Sequence, residues 1–260
     1  MLEIRSRASA QHFGPGTALS HVSALVLHGL PVHHLDLRRV SSTRHRPGSG
    51  SRSEAGTVCH NRDLTDAVVE VDGLPVTSPA RTIVDVARTS PFVGSVCAAD
   101  EALRKSLCTR AELAEELDAA AGTVGISRAR AVVAFADPGA HSVFESVSRV
   151  AISRAGLPMP ELQREIILAD GAAVFVDMFW EGWNLVGEAD GSGKYGIDDG
   201  EVEVRRQLRL EKSRQNAIEA NGNLVRRWQW EDYRTNRIPG IIREAMRIQE
   251  SFGRGPGRVA

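Results

Sequence analysis

Two strand-like runs, Ala173–Trp180 and Trp183–Asp190, stand back to back with only Glu181-Gly182 between them, and no other stretch constrains the fold as much. Each run is rich in β-branched and aromatic residues, and a two-residue spacer of this kind makes a compact hairpin turn. The flanks extend the pattern. His141-Ser142 caps a helix to Arg154, stopped by Gly156 and Pro158, and Leu162–Leu168 reads as a third strand. A long helix from Glu201 to Ala220 ends at Asn221-Gly222, a sequence suited to left-handed backbone. Leu224–Trp228 is a further strand, and a helix follows from Glu231. The predicted order is α-β-β-β-α-β.

The hairpin also predicts which side chains meet. A two-residue turn sets Trp180 opposite Trp183 and Asp177 opposite Val186. Alternation then puts Asp177, Glu188 and Asp190 on one face, together with Phe175, Phe179 and Val186. Directly opposed residues sit about 5 Å apart and diagonal ones roughly 7 to 8 Å. Three carboxylates so placed repel one another unless a hard divalent cation, which takes oxygen ligands, lies among them. A Glu-x-Asp in isolation reads more simply as a solvated strand end. The apolar neighbours on this face bring the metal reading level with that one.

Charge is segregated around the hairpin. Residues 170–203 hold nine acids and a single base, Lys194, whereas residues 204–237 hold nine bases and four acids. On the long helix Val204, Leu208 and Ile218 form an apolar stripe, and Arg205, Arg209 and Lys212 line an adjacent face. A basic face beside an acidic pocket is what phosphodiester chemistry asks for: cations hold the backbone while metal acts at the phosphate. A solvated arginine face is the plainer alternative.

The bulk properties exclude other classes. A net charge of −1 over 260 residues rules out a chain that coats nucleic acid by charge alone. The three cysteines, Cys59, Cys97 and Cys108, show no metal-ligand spacing and read as reduced thiols. With no apolar run of bilayer-spanning length and no secretory signal, the expected location is the cytoplasm, without membrane or organic-cofactor partners. The only lysines are Lys105, Lys194 and Lys212.

The N-terminal half reads as short strands and helices. A helix covers Leu19–His28 with Ser20 as its cap, Val68–Val71 and Leu74–Val76 form a hairpin over Asp72-Gly73, and Ser78-Pro79 opens a helix through Ala87. Thr109-x-x-Glu112 is a capping box. Residues 41–56, rich in Ser, Gly, Arg and Pro, read as a flexible loop, and Asp137-Pro138-Gly139 as a turn between halves. The expected divisions are 1–137, 138–235 and a helix and tail at 236–260. The fold class is mixed α/β, with a smaller α+β N-terminal domain.

The segments ESVSR (145–149), GLPMPELQ (156–163), VDMFW (176–180), VGEADGSGKY (186–195) and EKSRQNAIEANGNLVRRWQW (211–230) resemble the PD-(D/E)XK nuclease fold, and more closely the domain grouped with very-short-patch-repair (Vsr-like) endonucleases. The resemblance implies a Mg²⁺- or Mn²⁺-dependent DNA endonuclease. Asp177, Glu188 and Asp190 would be metal ligands, Glu145 would reach the site, and Gln163 would line it. Arg205, Arg209 and Arg214 would meet DNA. The usual motif lysine is replaced by Asp190, so its cation would come from Lys194 or Lys212. In the other half LSHVSALVLHGLPV (19–32), GLPVTSPARTIVDVAR (73–88) and AADEALRKSLCTRAEL (98–113) resemble AbiEi-type antitoxins. That resemblance implies a toxin partner and a regulatory role without catalysis.

Overall fold

The computed structural model describes residues 1–46, 50–191 and 201–256, and the chain divides into two compact units, Met1–Pro138 and Gly139–Ala260. Both are mixed α/β. No described helix is long and apolar enough to cross a membrane.

In the first unit, α1 (Leu2–Ala10), β1 (Thr17–Leu19) and α2 (His21–Leu27) are followed by β2 (Val40–His45), β3 (Gly50–Glu54) and β4 (Thr57–Arg62). The hairpin β5 (Val68–Val71) and β6 (Leu74–Thr77) leads into four helices, α3 (Pro79–Thr89), α4 (Phe92–Arg104), α5 (Arg110–Ala119) and α6 (Ile126–Phe135). The strands form one sheet in the order β3-β4-β2-β1-β6-β5, with β2–β4 and β1–β6 parallel. Expected as the smaller domain, this unit carries the larger sheet.

The Asp72-Gly73 hairpin and the Thr109–Glu112 capping box form as the local sequence predicts. The expected loop at 41–56 does not. Its ends are β2 and β3, and β4 follows. The segment lacks apolar alternation because its inward side chains are hydroxyls, set against Ser20 and Ser23 at the start of α2. Thr43 Oγ1 donates to Ser20 Oγ at 2.8 Å, and Ser23 Oγ accepts the Ser41 N–H at 2.9 Å. Thr43 and Ser23 are fully buried. Buried polar groups that pair in this way let a polar segment occupy the middle of a sheet. Ser20 is the N-cap residue of α2, as expected, but its hydroxyl is used here and on His21 Nδ1 rather than on the helix.

The second unit runs α7 (Val143–Arg154), β7 (Glu161–Ile167), β8 (Ala173–Trp180), β9 (Leu185–Asp190), α8 (Glu201–Ala220), β10 (Leu224–Gln229), α9 (Trp230–Arg234) and α10 (Ile238–Ser251). The predicted α-β-β-β-α-β order is present. The sheet order is β10-β9-β8-β7, antiparallel except for the parallel β9–β10 pair that α8 bridges. One face packs Met178, Trp180, Leu185 and Trp228 against Phe144 and Ile152 of α7 and Ile242 and Met246 of α10. The other packs Val176, Phe179, Val186 and Val225 against Ile218 of α8.

The tryptophans belong to this core. The indoles of Trp180, Trp183 and Trp228 donate to Pro158 O, Glu250 Oε1 and Ser148 Oγ at 2.8, 3.1 and 2.8 Å. Trp230 stacks on Phe144 at 4.3 Å. Buried aromatic rings of this kind keep their polar handles bonded.

Candidate functional site

The β8–β9 connection differs from the predicted two-residue turn. A short 3-10 turn, Glu181–Trp183, and Asn184 in the left-handed region (φ 43°) join the strands. Trp180 therefore pairs with Leu185, and Phe179 with Val186. The register moves by two residues. An even shift leaves every side chain on its predicted face of β9, whereas a shift of one would have reversed them all.

Alternation fails elsewhere, at Asp177. Val176 joins the α8-facing core beside Phe179, and Phe175, predicted on the carboxylate face among apolar neighbours, is 57% exposed. Across the ladder Gln163 takes φ 49°, a left-handed conformation unusual in a strand. Asp177 Oδ2 accepts the Ala189 N–H at 3.0 Å and so ties β8 to β9 beyond their last backbone pair.

The acidic residues meet arginines. Glu188 is 6% exposed, and Arg214 Nη1 of α8 lies 3.0 Å from its carboxylate. Arg227 of β10 sits beside Glu188 in the parallel register, 3.8 Å from its carboxylate and 3.6 Å from that of Asp190. It also pairs with Glu211. The sequence reading missed Arg227; only the β9–β10 pairing brings it there. Glu145 is buried, and its Oε2 accepts from the His141 N–H at 2.9 Å and from Gln163 Nε2 at 3.3 Å. Arg209 and Lys212 are exposed on α8. Lys194 and the side chain of Arg205 lie outside the described residues. Among the described residues no three His, Cys, Asp or Glu side chains are gathered to hold a metal ion. As placed, Glu188 faces Arg214 and Arg227, and Asp190 faces Arg227.

A second polar centre, not foreseen from sequence, lies in the first unit. Pro79 at the first position and the Ser78 hydroxyl, which accepts the Arg81 N–H at 3.3 Å, start α3. The helix then presents Arg81, Asp85 and Arg88 at spacings of four and three, one face of a helix. Asp85 is 1% exposed. Arg81 Nε donates to its Oδ2 at 2.9 Å, and Arg88 Nη1 to its Oδ1 at 3.0 Å. Burial works to raise the Asp85 carboxyl, but His21, Arg81 and Arg88 outweigh it and hold it below the ordinary range.

Two imidazoles complete the cluster. His21, at the start of α2 with φ 50°, stacks on His60 of β4 with ring centres 4.0 Å apart. Burial pushes the His21 imidazole down to about 4, against the opposing pull of Asp85. His60 is lowered by burial, with Asp85 opposing and Arg88 and Arg62 adding to the effect. A non-glycine residue in left-handed backbone, a buried carboxylate and depressed imidazoles together are the features that mark functional sites. The Arg81-x-x-x-Asp85-x-x-Arg88 spacing was legible in the sequence, but nothing in it announced that His60 and Arg62 of β4 would share a cavity with Asp85 and Arg88.

The family comparison falls on this half. Residues 18–135 match the model of the AbiEi antitoxin C-terminal domain. Two uncharacterized proteins of Mycobacterium tuberculosis, from strains CDC 1551 / Oshkosh and ATCC 25618 / H37Rv, are each 35% identical over 142 residues, 55% of this chain and 52% of theirs. The chain thus spans about half the length of the curated relatives it matches. No solved structure matches it. The segment that carries the Asp85 cluster is, in sequence, similar to the AbiEi antitoxin C-terminal domain.

Proposed function

We propose that the protein is a regulatory, antitoxin-like component of a toxin–antitoxin or phage-defence system, and that its N-terminal half engages the toxin. The match of residues 18–135 to the AbiEi antitoxin C-terminal domain carries this reading. DNA is the second partner we assign, with exposed Arg209 of α8 among its contacts. The test is co-expression of the full chain with the toxin-like gene neighbouring its own. Growth arrest by that gene product alone, relieved when this chain is present, is the expected outcome. Arrest that persists although the chain is made and soluble would overturn the reading.

A second reading is a Mg²⁺-dependent endonuclease centred on Glu188. It is favoured by the α-β-β-β-α-β order and by the shared face of Glu188 and Asp190 beside Asp177. Arg214 Nη1 donates to Glu188 Oε2, and the buried Oε1, which has no hydrogen-bond partner among the described residues, is the oxygen this reading would give to the metal ion. EDTA-sensitive cleavage of plasmid DNA that Glu188→Ala abolishes is what this reading expects. No cleavage by folded protein in Mg²⁺ or Mn²⁺ would remove it.

A further inference from the structure

Three arginines gather at the Asp85 cluster, and the third has no ion-pair partner among the described residues. Arg81 and Arg88 are both taken up by Asp85, and Arg81 also lies 3.7 Å from Glu116. Arg62, at the end of β4, is half-buried, yet its guanidinium has no hydrogen-bond or ion-pair partner among the described residues. It stands close enough to Arg88 that, after burial, it is the next largest cause lowering the Arg88 guanidinium.

Two cavities open on this pair. One, about 310 Å³, is lined by His21, His60, Arg62, Asp85 and Arg88. The other, about 320 Å³, is lined by Arg62, Asp63, Arg81, Arg88 and Glu116. Arg62 and Arg88 face into both. With the imidazoles neutral, the first cavity holds two guanidinium charges against the single carboxylate of Asp85. A guanidinium in a partly dehydrated pocket without an anion is unfavourable, and its planar fork matches a tetrahedral oxyanion with two parallel N–H···O bonds.

We infer that the cavity between His60, Arg62 and Arg88 binds the phosphate group of a small phosphate-bearing ligand, with Arg62 as its principal contact. Arg88 is positioned by Asp85 and by Val124 O, which accepts from its Nε at 3.2 Å, and turns its remaining donors to the anion. The His60 imidazole, stacked on His21, supplies a further N–H donor when it takes up a proton beside the anion. Cavities of this size suit a small molecule rather than a duplex backbone, which meets proteins along an open surface.

The experiment is titration calorimetry of the full chain with potassium phosphate and with AMP, against potassium chloride at equal ionic strength, for the wild type and Arg62→Gln. Arg62 bonds to no described side chain, so the variant keeps the fold, which far-UV circular dichroism checks. Saturable binding of phosphate or AMP by the wild type, weakened at least tenfold in Arg62→Gln and unaltered in Arg52→Ala on exposed β3, is the expected result. Absence of saturable binding, or equal affinity in Arg62→Gln, overturns the assignment. A DNA duplex that binds through Arg62 while phosphate and AMP do not overturns it as well. None of these outcomes depends on the toxin, so failure here and failure of the antitoxin reading are told apart.

Discussion

Asp85 shows how one side chain organises its surroundings. It sits at 1% exposure between Arg81 and Arg88, whose side chains are 11% and 6% exposed. Buried ion pairs contribute modestly beyond what apolar residues would, but removing one partner strands the other's charge out of water. Asp85→Ala should therefore cost about 3–5 kcal/mol, read as an earlier urea transition by circular dichroism. Asp36→Ala, which breaks an exposed pair with Arg38, should leave the urea transition nearly where it is. Equal effects of the two substitutions would show that Asp85 does not hold the cluster. Glu188 differs in kind: its arginines come from α8 and β10, distant in sequence, so the residue was legible as a candidate while its partners were not.

At the scale of elements, local chemistry went furthest where it was self-contained. The capping box of α5, the Asp72-Gly73 hairpin and the ends of β8 and α8 follow from a few adjacent residues. The β8–β9 turn did not, because Trp183 leaves the strand to bury its ring and bond Glu250 of α10. The strand β2 did not either, since bonding of a strand to the serines of α2 has no periodic signature. Gly187 in β9 is a sharper case. A Cβ there would collide with the Trp228 ring and come within 2.9 Å of Trp180, both locked in the core. Gly187→Ala should cost roughly 1–3 kcal/mol, seen as a lower midpoint of tryptophan fluorescence, since all four tryptophans lie in this unit. An unchanged midpoint would mean that the rings yield freely.

For the whole molecule, stability should depend on pH through the buried imidazoles. His21 titrates near the usual 6.5 when unfolded and at about 4 when folded. Between those values the unfolded chain binds more protons, so the contribution is fully present above pH 6.5 and is lost as pH falls toward 4. The loss is on the order of 3 kcal/mol, in the same direction as that from His60. Urea midpoints at pH 7 and pH 5 should show it, and His21→Gln should flatten the dependence; a wild type equally stable at both would refute it. Taken by itself, the sequence determined what short-range chemistry can: the mixed α/β class, most helix ends, the hairpin runs and the alternation along β9. It also carried the antitoxin-like segments. Tertiary structure decided which charges are neighbours. Arg227 reaches Glu188 only because β10 pairs parallel to β9, and His60 and Arg62 of β4 share a cavity with Asp85 of α3 only through tertiary packing. The physical reason is that a carboxylate's role depends on what lies within a few ångströms of it. Sequence spacing specifies that distance along one helix or strand, and only packing specifies it between them.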